Sequence, residues 1–240
     1  MNNETKTLGI LGGLGPLATV YFANMLVQMT EAKKDQDHIP MIILNDAQIP
    51  DRTAFILGES EESPLPKMCE DAHKLENAGC DMIVIPCNTA HYFYDALEEE
   101  VSVPIINILD ETVQECIKEI PNCKTIGVLA TRGTIESDSY MRFTDMYGMN
   151  YVVPDEDDQE SLMDIIYNQV KAGKPVDILE FMRIIGALKK KGSDAVVLGC
   201  TELSIINRDY DITKKHKIVV DSMEVLTKRA IERCGKTVKQ

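Results

Sequence analysis

The chain has 240 residues, 44% of them hydrophobic and only 5% aromatic, and 39 acidic against 25 basic side chains leave a formal net charge of −14. That length suffices for one large or two small domains with a substantial core, and the acidic excess argues against a nucleic-acid backbone as partner. The apolar runs fall far short of the roughly 20 residues that span a bilayer, and residues 1–6 are polar, so a cytoplasmic protein with no membrane partner is expected.

In chain order, short β-branched runs alternate with stretches of helical spacing, the pattern of a mainly parallel sheet covered by helices. A strand is predicted over 7–11, then the loop Gly12-Gly13-Leu14-Gly15 and a helix over 18–30. That loop lacks the Lys-Ser/Thr of a P-loop and the full spacing of a dinucleotide fingerprint, so it reads as a tight turn. A strand over 41–45 leads into Gln48-Ile49-Pro50-Asp51-Arg52-Thr53, where Arg52 is an isolated cation suited to gripping a carboxylate bidentately. The acidic loop 59–63 precedes a helix over 66–78, and a strand over 82–86 runs into Cys87-Asn88-Thr89-Ala90-His91. His91 reads as either a proton relay beside Cys87 or a structural histidine. A strand over 105–108 and a helix over 110–119 close this half.

The second half opens with a strand over 125–130 that ends in Thr131-Arg132-Gly133-Thr134. Helices are predicted over 139–147, 160–172 and 176–190, with Lys171 an isolated cation in the last turn of the second. The acidic stretch 155–160 reads as a solvated loop or helix start, with a lid as the alternative, and Lys189, Lys190 and Lys191 as a dipole-favoured helix end. A strand over 195–198 runs into Gly199-Cys200-Thr201-Glu202, and a strand over 218–221 follows. Gly79, Gly148, Gly173 and Gly192 stand where left-handed helix caps are wanted.

The halves echo one another. Lys6-Thr7-Leu8-Gly9-Ile10-Leu11 matches Lys124-Thr125-Ile126-Gly127-Val128-Leu129, and the segment 78–89 matches 191–202, aligning Cys87 with Cys200. Ile105 lies 18 residues beyond Cys87, and Val219 lies 19 beyond Cys200. Three landmarks in one order argue for a duplicated α/β unit. The expected fold is therefore two similar open α/β domains with mainly parallel sheets, pseudo-two-fold related. Residues 1–110 with a returning segment of about 216–240 form one domain, and residues 111–215 the other. Open α/β sheets bind ligands beyond their strands' carboxyl ends, which places both cysteines at a shared cleft.

Seven cysteines without a CxxC pair suggest free thiols in a reducing compartment. Cys69, Cys80, Cys116, Cys123 and Cys234 have no echoed partner and read as packing residues. Cys87 and Cys200 sit before amides that open a helix, where dipole and hydroxyl donors from Thr89 and Thr201 would favour a thiolate. Two thiols on opposite faces of one carbon can invert it, one removing a proton while the other delivers one. Charge developing on the substrate carboxylate needs donors. Candidates are Asn88, Thr89 and Ala90 in one half and Thr131, Gly133 and Thr134 in the other. Arg52 and Lys171 suit a second, side-chain carboxylate. Glu202 orients a thiol, contacts the substrate ammonium or starts a helix.

Gly9-Ile10-Leu11-Gly12-Gly13-Leu14-Gly15-Pro16-Leu17-Ala18-Thr19, Gln48 through Thr53, Pro86-Cys87-Asn88-Thr89-Ala90-His91 and Gly199-Cys200-Thr201-Glu202 together resemble the aspartate/glutamate racemase family, and within it the aspartate racemase branch, from Leu8 to about Val225. The resemblance implies a homodimeric racemase of two α/β domains that needs no cofactor and no metal. It implies Cys87 and Cys200 as acid and base, Asn88, Thr89 and Ala90 as substrate loop, and Arg52 and Lys171 as holders of the distal carboxylate. Both thiols being present points to racemisation in both directions. Glu202, where glutamate racemases carry histidine, points to aspartate, with glutamate the second substrate. Leu14 departs from a common methionine. The competing readings are a decarboxylase or cis-trans isomerase of a dicarboxylate, and a non-catalytic binding protein for a dicarboxylic amino acid.

Overall fold

The computed structural model describes residues 6–239. In chain order the first elements are β1 (Leu8–Gly12), α1 (Pro16–Met29), β2 (Met41–Asn45), α2 (Arg52–Ile56), α3 (Leu65–Asn77), β3 (Met82–Val84), α4 (Tyr94–Glu100), β4 (Ile105–Ile106) and α5 (Ile108–Glu119). They are followed by β5 (Thr125–Leu129), α6 (Arg132–Glu136), α7 (Ser139–Met146), β6 (Asn150–Val152), α8 (Glu156–Asp164), α9 (Ile178–Lys190), β7 (Ala195–Leu198), α10 (Thr201–Tyr210), α11 (Ile212–Lys215), β8 (Val219–Asp221) and α12 (Ser222–Arg233). None of these helices is long and apolar enough to cross a membrane.

The chain divides into two compact units, one running to Ile108 and resuming at Met223, the other spanning Leu109–Ser222. Each holds a four-stranded sheet, ordered β2-β1-β3-β4 in the first and β6-β5-β7-β8 in the second, with every pairing parallel. Because β8 is hydrogen-bonded to β7, the chain rejoins the first unit only at Met223, later than the expected 216. The central strands β1, β3 and β7 are buried throughout, as helices on both faces require, whereas the edge strand β2 is half-exposed.

The echoed residues do the same work in both units. Asp81 Oδ2 accepts the Thr7 N–H at 2.7 Å while its own N–H donates to the Thr7 carbonyl at 2.9 Å. Asp194 Oδ2 likewise accepts from Lys124 and Thr125 at 2.9 and 3.0 Å, and its N–H donates to the Thr125 carbonyl at 2.8 Å. Gly9 and Gly127 are glycines for one shared reason: a Cβ would press on Cys80 in the first unit and on Ser193 in the second. Cys80 is thus a packing residue, as expected.

Several elements differ from expectation. The spacing does not announce β6, since its Asn150 start and the Pro154 behind it mask a three-residue edge strand. The strand expected over 82–86 stops at Val84, because Cys87 N–H turns back to the Ile85 carbonyl at 2.8 Å around Pro86. The acidic stretch after 155 is a helix start: Asp155 caps α8 by accepting from Asp158 N–H, which starts the helix four residues early. Its continuation, Ile165–Val170, is a π-helix, with Lys171 N–H reaching the Ile166 carbonyl at 3.0 Å. Gly79, Gly148, Gly173 and Gly192 all adopt positive φ as helix ends require.

Candidate active site

Both cysteines lie at the carboxyl ends of strands that hold the same place in their sheets, β3 and β7. Each retains 6% exposure, whereas Cys116 and Cys234 are wholly buried. The residues around each cysteine belong to that cysteine's own unit.

In the first unit, Cys87 leaves β3 and is followed by a 3-10 turn, Thr89–Phe93, that carries Thr89 and Ala90, with Asn88 at its cap. His91 Nδ1 meets the Cys87 carbonyl and its Nε2 meets the Ile108 N–H, so both ring nitrogens are committed to backbone and the relay role is closed to it. At the neighbouring strand ends, Gly13 has a φ of +94° and lies so close to Asp46 that a Cβ would collide with its carbonyl. Thr19 ties this loop down, accepting from Gly13 N–H and donating to the Gly15 carbonyl, both at 3.0 Å. Leu14 is buried in the same apolar cluster as Ile49 and Cys87.

Arg52 opens α2, whose first turn is capped by Asp51 accepting from Ala54 N–H at 2.8 Å. Its Nη1 donates to the carbonyls of Pro50 and Ile49 at 2.9 and 3.3 Å. Those bonds fix the guanidinium plane, while the buried Nε has no hydrogen-bond partner among the described residues. A buried guanidinium edge with an unused donor is suited to an anion.

In the second unit, Gly199 N–H donates to the Leu129 carbonyl at 2.7 Å, so Cys200 and the Thr131 turn leave the sheet side by side. Thr131 caps α6 by accepting from Thr134 N–H at 3.4 Å, and the two hydroxyls are 3.1 Å apart. Gly133 is buried in that same turn. Cys200 caps α10, and its Sγ donates to Glu202 Oε2 at 3.0 Å. Burial first, and then the adjacent Glu202 carboxylate, push this thiol well above its ordinary value, with Lys171 opposing. The expected lowering by the helix start is overridden at Cys200. Thr201, expected to donate to the thiol, instead donates to Glu202 Oε2 at 3.3 Å. Lys171 Nζ stands 4.0 Å from Glu202 Oε1 and 4.0 Å above the Tyr167 ring.

Lys171, Cys200, Thr201 and Glu202 therefore form one cluster around a buried carboxylate. Two neighbours escape a reading of the sequence. Tyr167 stands four residues before Lys171 and supplies a cation–π face, a spacing that could have flagged it. Gln159 is buried beside the Thr131 turn, its Nε2 donating to the Ala130 carbonyl at 3.0 Å and its Oε1 without a partner among the described residues. Nothing in the sequence singles it out.

The family model described as Asp/Glu/Hydantoin racemase matches residues 11–230. The chain is similar to the broad specificity amino-acid racemase RacX of Bacillus subtilis (strain 168), 28% identical over 234 residues, covering 93% of this chain and 96% of that one. It is also similar to the glutamate racemase of Persephonella marina, 26% identical over 193 residues, covering 74% of this chain and 71% of the relative. Among solved structures it resembles the Picrophilus torridus aspartate racemase, with a TM-score of 0.79 and 32% identity, covering 98% of this chain and 96% of that one.

Proposed function

Because the chain belongs to the Asp/Glu/Hydantoin racemase family, we propose that it interconverts L- and D-aspartate, with glutamate as second substrate, by a cofactor-independent two-cysteine mechanism. The observation that carries this reading is the equivalence of Cys87 and Cys200, which follow matching strands of two sheets with the same strand order.

One thiolate takes the α-hydrogen of the bound amino acid as a proton. The electron pair left behind spreads onto the α-carboxylate as an enolate. The opposing thiol then protonates the other face of the carbon. After one turnover the thiol and the thiolate have exchanged places. Asn88, Thr89 and Ala90 with Thr131, Gly133 and Thr134 are the donors for the charge that develops on the carboxylate. Arg52, its plane fixed by two backbone carbonyls and its buried Nε without a partner among the described residues, binds the distal carboxylate with Lys171. A buried cation with an unused donor favours a dicarboxylic substrate, since an apolar side chain would leave it unpaired. Choosing between aspartate and glutamate turns on one methylene, about 1–3 kcal/mol.

Chiral chromatography after incubation with a panel of L- and D-amino acids tests the reading. Aspartate turned over fastest, in both directions and without added pyridoxal phosphate, is the expected result. A preference for apolar amino acids would remove the role given to Arg52 and Lys171, and no turnover of any amino acid would remove the reading.

A further inference from the structure

We propose that Glu202 is a positioning residue that keeps Cys200 in its proton-bearing form, so that the resting enzyme is charged as acid on the Cys200 side and as base on the Cys87 side. The inference rests on the two-cysteine reading and adds what that reading leaves open, namely which thiol starts with the proton.

The duplicated halves differ at this point. Aligning Cys87 with Cys200 places Thr89 opposite Glu202, a neutral hydroxyl against a carboxylate. Glu202 is 6% exposed and lies two residues beyond Cys200 in the first turn of α10. The Cys200 thiol and the Thr201 hydroxyl both point their protons at its Oε2, at 3.0 and 3.3 Å, and the Lys171 ammonium stands 4.0 Å from its Oε1. The Cys200 sulfur lies 3.0 Å from Oε2, with the thiol as donor and the carboxylate oxygen as acceptor. A thiolate in that place would lose the bond and face a like charge in a buried setting.

When Cys200 gives its proton to the substrate carbon, the α-hydrogen ends on Cys87 and a thiolate is left beside Glu202. That form is the less stable of the two, so the enantiomer that needs it finds a smaller share of competent enzyme. Its apparent KM rises by the reciprocal of that share. Equal stability of the two free enantiomers then obliges its kcat to rise by the same factor.

Two measurements test this without relying on one another. Iodoacetamide labelling of the substrate-free protein, followed by peptide mass spectrometry, compares wild type with Glu202→Gln. Cys200 should react about fivefold or more faster in the variant at near-neutral pH, because removing the carboxylate frees the thiolate, while Cys87 changes less than about twofold. An unchanged or slower Cys200 overturns the proposal. Cys116, wholly buried, reports folding by staying unlabelled. If the variant unfolds, Lys171→Met takes its place: losing the ammonium should slow Cys200 about threefold or more, and an unchanged or faster rate overturns the proposal. Labelling needs no turnover, so a failed racemase reading would show separately as absent turnover.

The second measurement is the ratio of KM values for the two enantiomers of the turned-over amino acid. Glu202→Gln should shift it about threefold or more, with the ratio of kcat/KM values staying at unity. A purely structural residue would lower both kcat values together and leave the KM ratio unmoved, which would overturn the proposal.

Discussion

His91 Nδ1 lies 2.9 Å from the carbonyl oxygen of Cys87, and the same ring's Nε2 lies 3.3 Å from the Ile108 N–H. The carbonyl can only accept and the amide can only donate, so the ring is one neutral tautomer with its proton on Nδ1. It braces the turn that presents Cys87 against the start of α5.

Burial pulls the His91 pKa from 6.5 down to about 4, against the opposing pull of its bond to the Cys87 carbonyl. The unfolded chain therefore binds a proton near pH 6.5 that the folded chain takes only near pH 4. Stability from this residue is present above the unfolded value and is lost as pH falls from about 6.5 to about 4, by at most about 3 kcal/mol. Urea denaturation of wild type and His91→Gln at both ends of that window checks it. The variant should show a flatter dependence on pH, and an equal slope in the two proteins would contradict the assignment.

Asp81 and Asp194 close the same hydrogen-bonded link in their two units, Asp194 with one more acceptor bond. Replacing either by Ala should cost about 1 kcal/mol, with Asp194 the larger loss. The double variant should sum the two within about 0.5 kcal/mol, since they share no partner. Shifts in denaturation midpoint measure all three.

Gly13 and Gly186 make opposite predictions. At Gly13 the φ of +94° and the Asp46 carbonyl leave no room for a side chain, so Gly13→Ala should destabilise by about 2 kcal/mol or more. Gly186 lies inside α9 with open space where a methyl group would sit, and Gly186→Ala should stabilise by about 0.5–1 kcal/mol. Thermal unfolding of the two single variants distinguishes them.

Cys87→Ser and Cys200→Ser should each lower kcat by about a thousandfold or more with the fold retained. Cys80→Ser and Cys116→Ala, which alter packing only, should leave kcat within about threefold. Circular dichroism alongside the kinetics separates lost chemistry from lost structure.

Much of this architecture is legible in the chain because duplication writes it twice. The Lys-Thr-x-Gly-x-Leu echo marks β1 and β5, and the glycine inside it answers to Cys80 and Ser193 packing against it. The cysteine echo marks the ends of β3 and β7 for the same reason. What sequence alone does not carry is the environment that tertiary packing creates. The dipole argument for a thiolate at Cys200 fails because the sulfur is buried and Glu202 folds back onto it, and nothing local to Cys200-Thr201-Glu202 distinguishes that from an exposed thiol beside a carboxylate facing solvent. The π-helical widening at Ile165–Val170 and the buried Gln159 are equally silent, since neither changes hydrophobic spacing. β6 escapes notice because a short, half-exposed edge strand needs no apolar run.

Opposed thiols acting on one carbon leave a signature in where solvent hydrogen enters. The most direct measurement is to incubate L-aspartate with the protein in deuterium oxide, stop within the first few per cent of conversion, and read the α-position of both enantiomers by chiral separation and mass spectrometry. The expected result is D-aspartate carrying one α-deuterium while the remaining L-aspartate keeps its hydrogen, and the mirror outcome starting from D-aspartate. Deuterium appearing equally in the recovered substrate and the product would mean a single base working on both faces, and would contradict the two-cysteine mechanism.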